Sequence, residues 1–234
     1  METVGVILAA GSGSRTGLST PKQFLPLGGK TVLEHSVQTF HNHPGIDQVV
    51  IVTATEFIDK VQGLVRANNW TKVTAVLAGG KERFDSSLAA VRHFAAAPDT
   101  VLLFHDAARP LVSERIITDA IKAMESYDAV DVAIPTVDTI VQCDRDGTHM
   151  TSIQDRSLLW RMQTPQGFRQ KTIQEAYRIA LQDAQFTATD DCGTVLRYLP
   201  AVKVGIVRGS ERNIKLTYAD DVSLLEFLLS TPES

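Results

Sequence analysis

The sequence has few of the features that mark secreted, membrane-bound or zinc-binding proteins. Its only two cysteines, Cys143 and Cys192, lie far apart and form no CxxC pair, so neither a disulfide framework nor a zinc site is expected. No apolar run approaches the ~20 residues that a membrane-spanning helix needs. The N-terminus shows no charged region followed by a cleavage site. We therefore expect a cytoplasmic protein with reduced thiols and no membrane partner.

Excess positive charge and nucleophile motifs are also missing. The formal net charge is −4 at pH 7, which disfavours a general nucleic-acid surface. Any polyanion must therefore bind at a local cluster of cations. The chain has no GxSxG motif, and neither cysteine lies in a catalytic motif. This pattern favours a reaction in which the substrate supplies the attacking oxygen, while the protein positions the groups and stabilises charge.

A glycine-rich turn follows the first apolar run, in the stretch ILAAGSGSRTGLSTPKQF at residues 7–24. Its spacing fits neither GxGxxG nor GxxxxGK[ST]. Gly11 and Gly13 would still let backbone N–H groups approach an anion closely. Arg15 offers a planar fork of donors and Lys22 offers a point charge. The stretch therefore predicts a phosphate site of a less familiar kind.

Short β-branched runs alternate with segments of helical periodicity along most of the chain. Strands are predicted at residues 4–10, 48–54, 72–78, 100–106, 129–135 and 203–209. Helices are predicted at residues 33–40, 57–69, 84–96, 113–126, 170–183, 190–199 and 219–229, with Ser113 as a candidate N-cap. This alternation predicts an α/β fold with a doubly wound, mostly parallel sheet, in a single domain over residues 1–234.

Residues 137–163 interrupt this alternation. The stretch has the pattern of a strand, an Asp-Gly turn and a second strand, which predicts a β-hairpin. It is too polar for the interior of the sheet, so we expect it to project from the domain as an arm.

Several predicted strands end in residues suited to binding anions or metals, and ligands of open parallel sheets bind beyond the carboxyl ends of the strands. GGKERFDSS at 79–87 joins a strand to a helix, and helix N-termini favour anions and polar ligand edges. In HDAARP, Asp106 ends an apolar strand and suits Mg²⁺, and Arg109 follows three residues later. His105 is expected to be packed rather than to act as an acid or base. Lys215 follows the last strand.

A series of motifs in chain order resembles those of the 2-C-methyl-D-erythritol 4-phosphate cytidylyltransferases: ILAAGSGSR, PKQF, AGGKER, HDAARP, DR-x-x-LW, QTPQGF and NIKLT. The first part, ILAAG, is shared by many sugar nucleotidyltransferases, whereas HDAARP, QTPQGF and NIKLT together are much narrower. The resemblance covers essentially the whole chain. It implies a Rossmann-like nucleotidyltransferase fold and a Mg²⁺-dependent transfer of CMP from CTP to a polyol phosphate, with release of pyrophosphate.

The resemblance also implies roles for individual residues. The cations at the reacting phosphates would be Arg15, Lys22 and Lys215. The nucleotide would be held by Ala9, Ala10, Gly11, Gly13, Gly80, Arg83, Ser86, Asp106 and Ala107, and Asp106 would also bind Mg²⁺. The polyol phosphate would lie near Arg109, Thr139, Arg156, Thr164 and Thr189. Because Thr139 and Arg156 lie on or beside the arm, they would reach the active site of a second subunit, which implies a homodimer joined through the arm.

The acceptor stays open between two polyol phosphates. A sister group makes CDP-ribitol from ribitol 5-phosphate, and Val141 and Cys192 resemble that group. HDAARP, DR-x-x-LW and QTPQGF resemble the methylerythritol group, which we favour. An alternative of another class is a non-catalytic nucleotide-binding regulatory domain, which the joint presence of Arg15, Lys22 and Asp106 disfavours. A transferase that uses UTP or GTP with a hexose phosphate is disfavoured by the hairpin and the C-terminal motifs.

Overall fold

A computed structural model describes residues 1–11, 20–187 and 190–231 of the chain. Its strands are β1 (Thr3–Ala9), β2 (Pro26–Leu27), β3 (Lys30–Thr31), β4 (Gln48–Thr53), β5 (Val73–Ala78), β6 (Val101–Asp106), β7 (Ala129–Pro135), β8 (Val141–Cys143), β9 (Met150–Ile153), β10 (Trp160–Arg169) and β11 (Val204–Arg208). Its α-helices are α1 (Val32–Asn42), α2 (Ile58–Ala67), α3 (Arg83–His93), α4 (Glu114–Ala123), α5 (Gln170–Ala180), α6 (Asp191–Tyr198) and α7 (Asp221–Ser230). Within these ranges, no helix is both long and apolar enough to cross a bilayer.

A seven-stranded sheet lies at the centre, in the order β11-β7-β10-β6-β1-β4-β5. Neighbouring strands run parallel except β10, which is antiparallel to both β6 and β7. Side chains of β1 alternate between two cores: Ile7 packs in a core with Phe40 of α1, and Val6 packs in the other core with Tyr177 of α5. Because helices cover both faces, the predicted α/β fold with a doubly wound, mostly parallel sheet is confirmed.

The strand β10 was not predicted from the sequence. Its polar stretch QTPQ contains a proline, which cannot donate to a sheet ladder and argues against a central strand. The structure accommodates the proline at an irregularity, because the pairing of β10 with β7 shifts register between Met162 and Gln166.

The predicted arm forms as a hairpin of β8 and β9 with antiparallel pairing. Gly147 has a φ of 68° in the connecting turn, a left-handed conformation that glycine adopts without steric cost. The arm is shorter than the predicted residues 137–163, because Trp160–Gln163 already belong to β10. Both hairpin strands are exposed along their whole length.

Two helix starts show how local sequence sets the boundaries. At α1, Thr31 and Glu34 form a reciprocal capping box, with Thr31 N–H donating to Glu34 at 2.8 Å. At α4, Ser113 takes the predicted N-cap position, but its side chain makes no capping hydrogen bond. The position of Ser113 was therefore correct, whereas the expected contact is absent.

Candidate active site

A cavity of about 190 Å³ lies beyond the carboxyl ends of β1 and β6. β1 and β6 are neighbours in the sheet, and the other strands are added on opposite sides of this pair, with β4 beside β1 and β10 beside β6. Such a point of reversal is where open α/β sheets bind ligands. The cavity is lined by Leu8, Ala9, Gly11, Lys22, Gln23, Lys81, Glu82, Arg83, Ser86, Asp106, Ala107, Ala108 and Lys215. It therefore gathers eight of the predicted site residues from five separate segments: Ala9, Gly11, Lys22, Arg83, Ser86, Asp106, Ala107 and Lys215.

Asp106 lies between two cations at the centre of the cavity. Its Oδ1 accepts a hydrogen bond from Arg83 Nε at 3.0 Å, and its Oδ2 accepts one from Lys215 Nζ at 2.5 Å. Burial alone would raise the pKa of this carboxyl, but the charges of Arg83 and Lys215 hold the pKa far below its usual value. Asp106 is thus a buried, ionised carboxylate throughout the physiological range.

The Arg83 guanidinium is held at all three of its nitrogens. Besides the bond to Asp106, Nη1 donates to Asp191 at 2.6 Å and Nη2 donates to Gln166 at 3.2 Å. Burial would lower the pKa of Arg83, but the two carboxylates outweigh burial and raise it. The side chain is therefore a fixed positive charge at the start of α3.

The segment that contains Lys22 is tied to the sheet and to the C-terminal motif. Lys22 Nζ donates to the Leu216 carbonyl at 3.2 Å, and the buried Gln23 donates to the Ala9 carbonyl at 2.8 Å. Leu216 N–H donates in turn to the Ala108 carbonyl at 2.8 Å. These bonds bring PKQF, HDAARP and NIKLT to one side of the cavity, although they are distant in the chain.

The two glycines before α3 permit a close approach of backbone to side chains. A Cβ at Gly79 would lie 2.6 Å from Ser86 Oγ, and one at Gly80 would lie 2.2 Å from Asp85 Cβ. Neither distance is possible for a real side chain, so this tight turn requires glycine at both positions. The turn allows Ser86, near the start of α3, to line the cavity.

His105 is packed and neutral, as expected from the sequence. Its Nε2 lies 3.0 Å from the Arg109 carbonyl, which can only accept, so Nε2 carries the proton. Nδ1 then accepts from the Thr164 hydroxyl at 2.9 Å, and Thr164 Oγ1 accepts from Asp106 N–H at 3.2 Å. Burial lowers the pKa of His105 to about 4. This chain of hydrogen bonds holds the backbone of Asp106 in place.

The described residues do not by themselves form a complete metal-binding site in the cavity. Among residues 1–11, 20–187 and 190–231, no group of three or more His, Cys, Asp or Glu side chains is placed to hold a metal ion. Asp106 is a single ionised carboxylate. That donor set fits Mg²⁺, which commonly binds one or two carboxylates and takes its other ligands from substrate phosphates and water.

Not every predicted site residue lines the cavity. Arg109 instead donates to the carbonyls of Asn213 at 2.6 Å and Met162 at 3.3 Å, and Thr164 is buried behind Asp106. Ala10 and Gly80 adjoin the lining without belonging to it, and Thr139 and Arg156 are exposed residues beside the hairpin. The predictions for Gly13, Arg15 and Thr189 fall outside the described residues.

Three residues that matter to this geometry were missed in the sequence. Gln23 belongs to the PKQF motif, which is a usable signal, although only the two cation positions were considered. Gln166 lies in QTPQGF and contacts Arg83. Asp191 belongs to none of the family motifs named above, and together with the adjacent Asp190 it suggests only a helix start. No local pattern distinguishes it, because its contact with Arg83 spans 108 residues.

The chain is similar to known proteins along nearly its whole length. The family model for IspD, 2-C-methyl-D-erythritol 4-phosphate cytidylyltransferase, matches residues 3–231. A 2-C-methyl-D-erythritol 4-phosphate cytidylyltransferase of Thermobifida fusca is 44% identical over 229 residues, covering 96% of this chain and 92% of that protein. A 4-diphosphocytidyl-2C-methyl-D-erythritol synthase structure from Anaerococcus prevotii matches with a TM-score of 0.84 at 27% identity, covering 98% of this chain and 99% of that one.

A second kind of relative is also similar. The bifunctional ribulose 5-phosphate reductase/CDP-ribitol pyrophosphorylase Bcs1 of Haemophilus influenzae is 42% identical over 231 residues, which are 98% of this chain. The match covers only 48% of the Haemophilus protein, so this chain spans about half of that relative. On the family model and the full-length relatives together, the chain belongs to the 2-C-methyl-D-erythritol 4-phosphate cytidylyltransferase family.

Proposed function

We propose that this cytidylyltransferase transfers CMP from CTP to 2-C-methyl-D-erythritol 4-phosphate. The acceptor phosphate oxygen attacks the α-phosphorus of CTP, the bond to the bridging oxygen breaks, and pyrophosphate leaves. The observation that carries the proposal is the Asp106 carboxylate between Arg83 and Lys215, in a cavity at the strand reversal point. The products are CDP-methylerythritol, an isoprenoid precursor, and pyrophosphate.

The cations at the triphosphate carry out most of the catalysis in this proposal. Lys22 and Lys215 both line the cavity. Arg15, which lies between β1 and Lys22 in the chain, would join them. Fixed positive charges stabilise the charge that develops on the equatorial and leaving oxygens, and they need no reorganisation during the reaction. The backbone from Ala9 to Gly13 would cradle the phosphates of CTP, and Ala10 and Ala107 would complete that wall.

Mg²⁺ would bind at Asp106, where it would neutralise phosphate charge and orient the triphosphate. Because both carboxylate oxygens already face protein cations, the residues fit a metal ion that CTP brings with it rather than one held in the free enzyme. The cytosine and ribose would lie against the turn at Gly80 and the start of α3, near Arg83 and Ser86. Ser86 lines the cavity at this point and offers its hydroxyl as a hydrogen-bonding group.

The acceptor site would form on the side of the cavity that faces the arm. Thr164 and Arg109 would support it through the backbone they hold, and Thr189 would lie nearby. Thr139 and Arg156 would come from the arm of a partner subunit. We therefore infer a homodimer of single-domain subunits, working in the cytoplasm.

The surface of the arm supports that dimer. The exposed apolar side chains on and beside the hairpin include Val137 at 69%, Met150 at 65%, Ile153 at 67% and Leu158 at 77% of their full accessibility. Apolar patches of this kind on an otherwise polar segment mark interaction surfaces. Sedimentation equilibrium tests the inference, and a fully active monomer would contradict it.

Ribitol 5-phosphate is the second candidate acceptor, and the similarity to the Haemophilus CDP-ribitol pyrophosphorylase favours it. Cys192, one of the residues that resemble the ribitol group, is 1% exposed, and its thiol lies 3.6 Å from the Val130 carbonyl inside the core. Val141 lies on the exposed arm.

Pyrophosphate release with CTP and Mg²⁺ tests the function, run in parallel with the two polyol phosphates. A kcat/KM that is clearly higher with methylerythritol phosphate supports the proposal. A preference for ribitol phosphate would move the enzyme to CDP-ribitol synthesis with the same phosphate chemistry. Release with neither acceptor would refute both.

A further inference from the structure

One partner of Arg83 lies outside the cavity and has no role in the proposal above. Asp191, the first residue of α6, is only 1% exposed and accepts from Arg83 Nη1 at 2.6 Å. The same oxygen accepts from the Ser87 hydroxyl at 3.1 Å, and the other oxygen accepts from the Tyr177 hydroxyl. A carboxylate this deeply buried is tolerated only because it is paired and hydrogen-bonded.

Asp191 accepts hydrogen bonds from two residues in the first turns of α3. Ser87 lies four residues after Arg83, so one carboxylate oxygen holds both side chains on the same face of the helix. Between them, Phe84 packs against the Tyr177 ring with centroids 4.7 Å apart. The carboxylate therefore fixes the end of α3 that brings Ser86 to the cavity.

Asp191 also divides the hydrogen bonds of the guanidinium between two carboxylates. With Nη1 taken by Asp191 and Nη2 by Gln166, Arg83 gives Asp106 a single bond from Nε to Oδ1, and Oδ2 is left to Lys215. Without the charge of Asp191, only the neutral Gln166, at Nη2, still competes with Asp106 for the guanidinium, which can then turn and offer Asp106 the two-bond fork that arginine prefers with carboxylates. Such a fork would occupy both oxygens of Asp106 and compete with Lys215.

We propose that Asp191 is a positioning residue for cytidylyl transfer, which acts by restricting Arg83 to one oxygen of Asp106. The other oxygen then stays available to Lys215 and to the metal-bound triphosphate. This inference rests on the proposed function and deepens it, because it names a residue that controls the central carboxylate without touching substrate.

The test is a double-mutant cycle on Arg83 and Asp191. Asp191→Asn keeps the shape and removes the charge, and we expect it to lower kcat about 10- to 100-fold, the usual effect of losing an outer-shell partner. In an Arg83→Gln background, the same change should leave kcat nearly unaltered, because Asp191 acts through Arg83. A purely structural role would instead reduce kcat by the same factor in both backgrounds.

Tyr177→Phe is the matched control. It removes a hydrogen bond to the same carboxylate but leaves the pair between Asp191 and Arg83, so we expect a lower unfolding temperature with kcat unchanged. Thermal unfolding of every variant shows that the compared proteins are folded. A folded Asp191→Asn enzyme with the kcat of the unmutated protein would overturn the inference, as would equal losses in the two backgrounds.

A second readout separates this inference from the proposed function. Calorimetric titration with CTP and Mg²⁺ needs no acceptor, so the cycle can be measured even if neither polyol phosphate reacts. Because Arg83 and Ser86 line the cavity, Asp191→Asn should weaken CTP binding in the native background and leave it unchanged with Arg83→Gln. Equal weakening in both backgrounds would reject the positioning role whatever the acceptor proves to be.

Discussion

Asp131 gives the sharpest test of the electrostatics of this fold. It lies on β7, the second strand from one edge of the sheet, is 2% exposed, and accepts one hydrogen bond from Gln166 at 3.0 Å. Burial raises the pKa of this carboxyl to about 7 from an ordinary value of 3.8, although the Gln166 hydrogen bond lowers it. Asp190 raises the pKa further, whereas Arg109 and Arg83 lower it. At pH values between these two pKa values, Asp131 therefore keeps a proton in the folded protein that it has already lost in the unfolded chain.

The sign of the effect follows from proton linkage. Between the unfolded pKa of 3.8 and the folded pKa of about 7, the native state binds more protons than the unfolded state. Stability from this group is thus fully present at low pH and is lost as the pH rises through about 7. From about pH 5 to about pH 8, Asp131 should reduce the free energy of unfolding by about 2–3 kcal/mol, at about 1.4 kcal/mol per pKa unit.

The substitution Asp131→Asn removes this titration and keeps the side-chain shape. Urea unfolding of both proteins at about pH 5 and about pH 8 should show the unmutated protein losing about 2–3 kcal/mol more than the variant. Other titrating groups cancel in this comparison because both proteins contain them. Asp128→Asn is the control, since it removes a carboxylate whose side chain is 56% exposed. Parallel pH profiles for the unmutated protein and Asp131→Asn would refute the reasoning.

Three further predictions address catalysis, packing and assembly. Lys215→Met should lower kcat/KM with CTP about 10²- to 10³-fold, which is the loss expected for one charge-stabilising group. The control Lys122→Met, on α4, should leave kcat/KM unchanged. A loss below tenfold for Lys215→Met would contradict its assignment to the reacting phosphates. Gly80→Ala should destabilise the fold by about 1–3 kcal/mol in urea unfolding, because its Cβ would overlap Asp85; unchanged stability would show that the turn can relax. Ile153→Asp should shift sedimentation equilibrium toward monomer, because it places a charge on the apolar arm surface, and an undisturbed dimer would exclude the arm from the interface.

The sequence predicted most elements of the sheet because their signals are local. In β1 and β6 the apolar residues run continuously, as they do in strands covered on both faces, and the helical stripe of α4 is visible in Ile116, Ile117 and Ala120. β10 was missed for the converse reason. Gln166–Phe168 pair with strands on both sides and the proline lies at a register shift, and no short window of sequence contains those neighbouring strands.

The candidate site divides in the same way. Motif order was sufficient to predict the family, which the comparisons confirm. The motifs did not distinguish residues that reach the cavity from those that support it. Arg109 and Thr164 stay predicted near the acceptor, and their described contacts are to carbonyls, His105 and the Asp106 backbone.

By itself, the sequence determined the alternation of strands and helices and the glycine turn before α3, since each depends on residues within a few positions of one another. Only the tertiary structure decided which charges meet. Lys215 reaches Asp106 across 109 residues, and Arg83 reaches Asp191 across 108. Such pairs depend on the order of strands in the sheet, which is fixed by burying both faces at once rather than by any local preference.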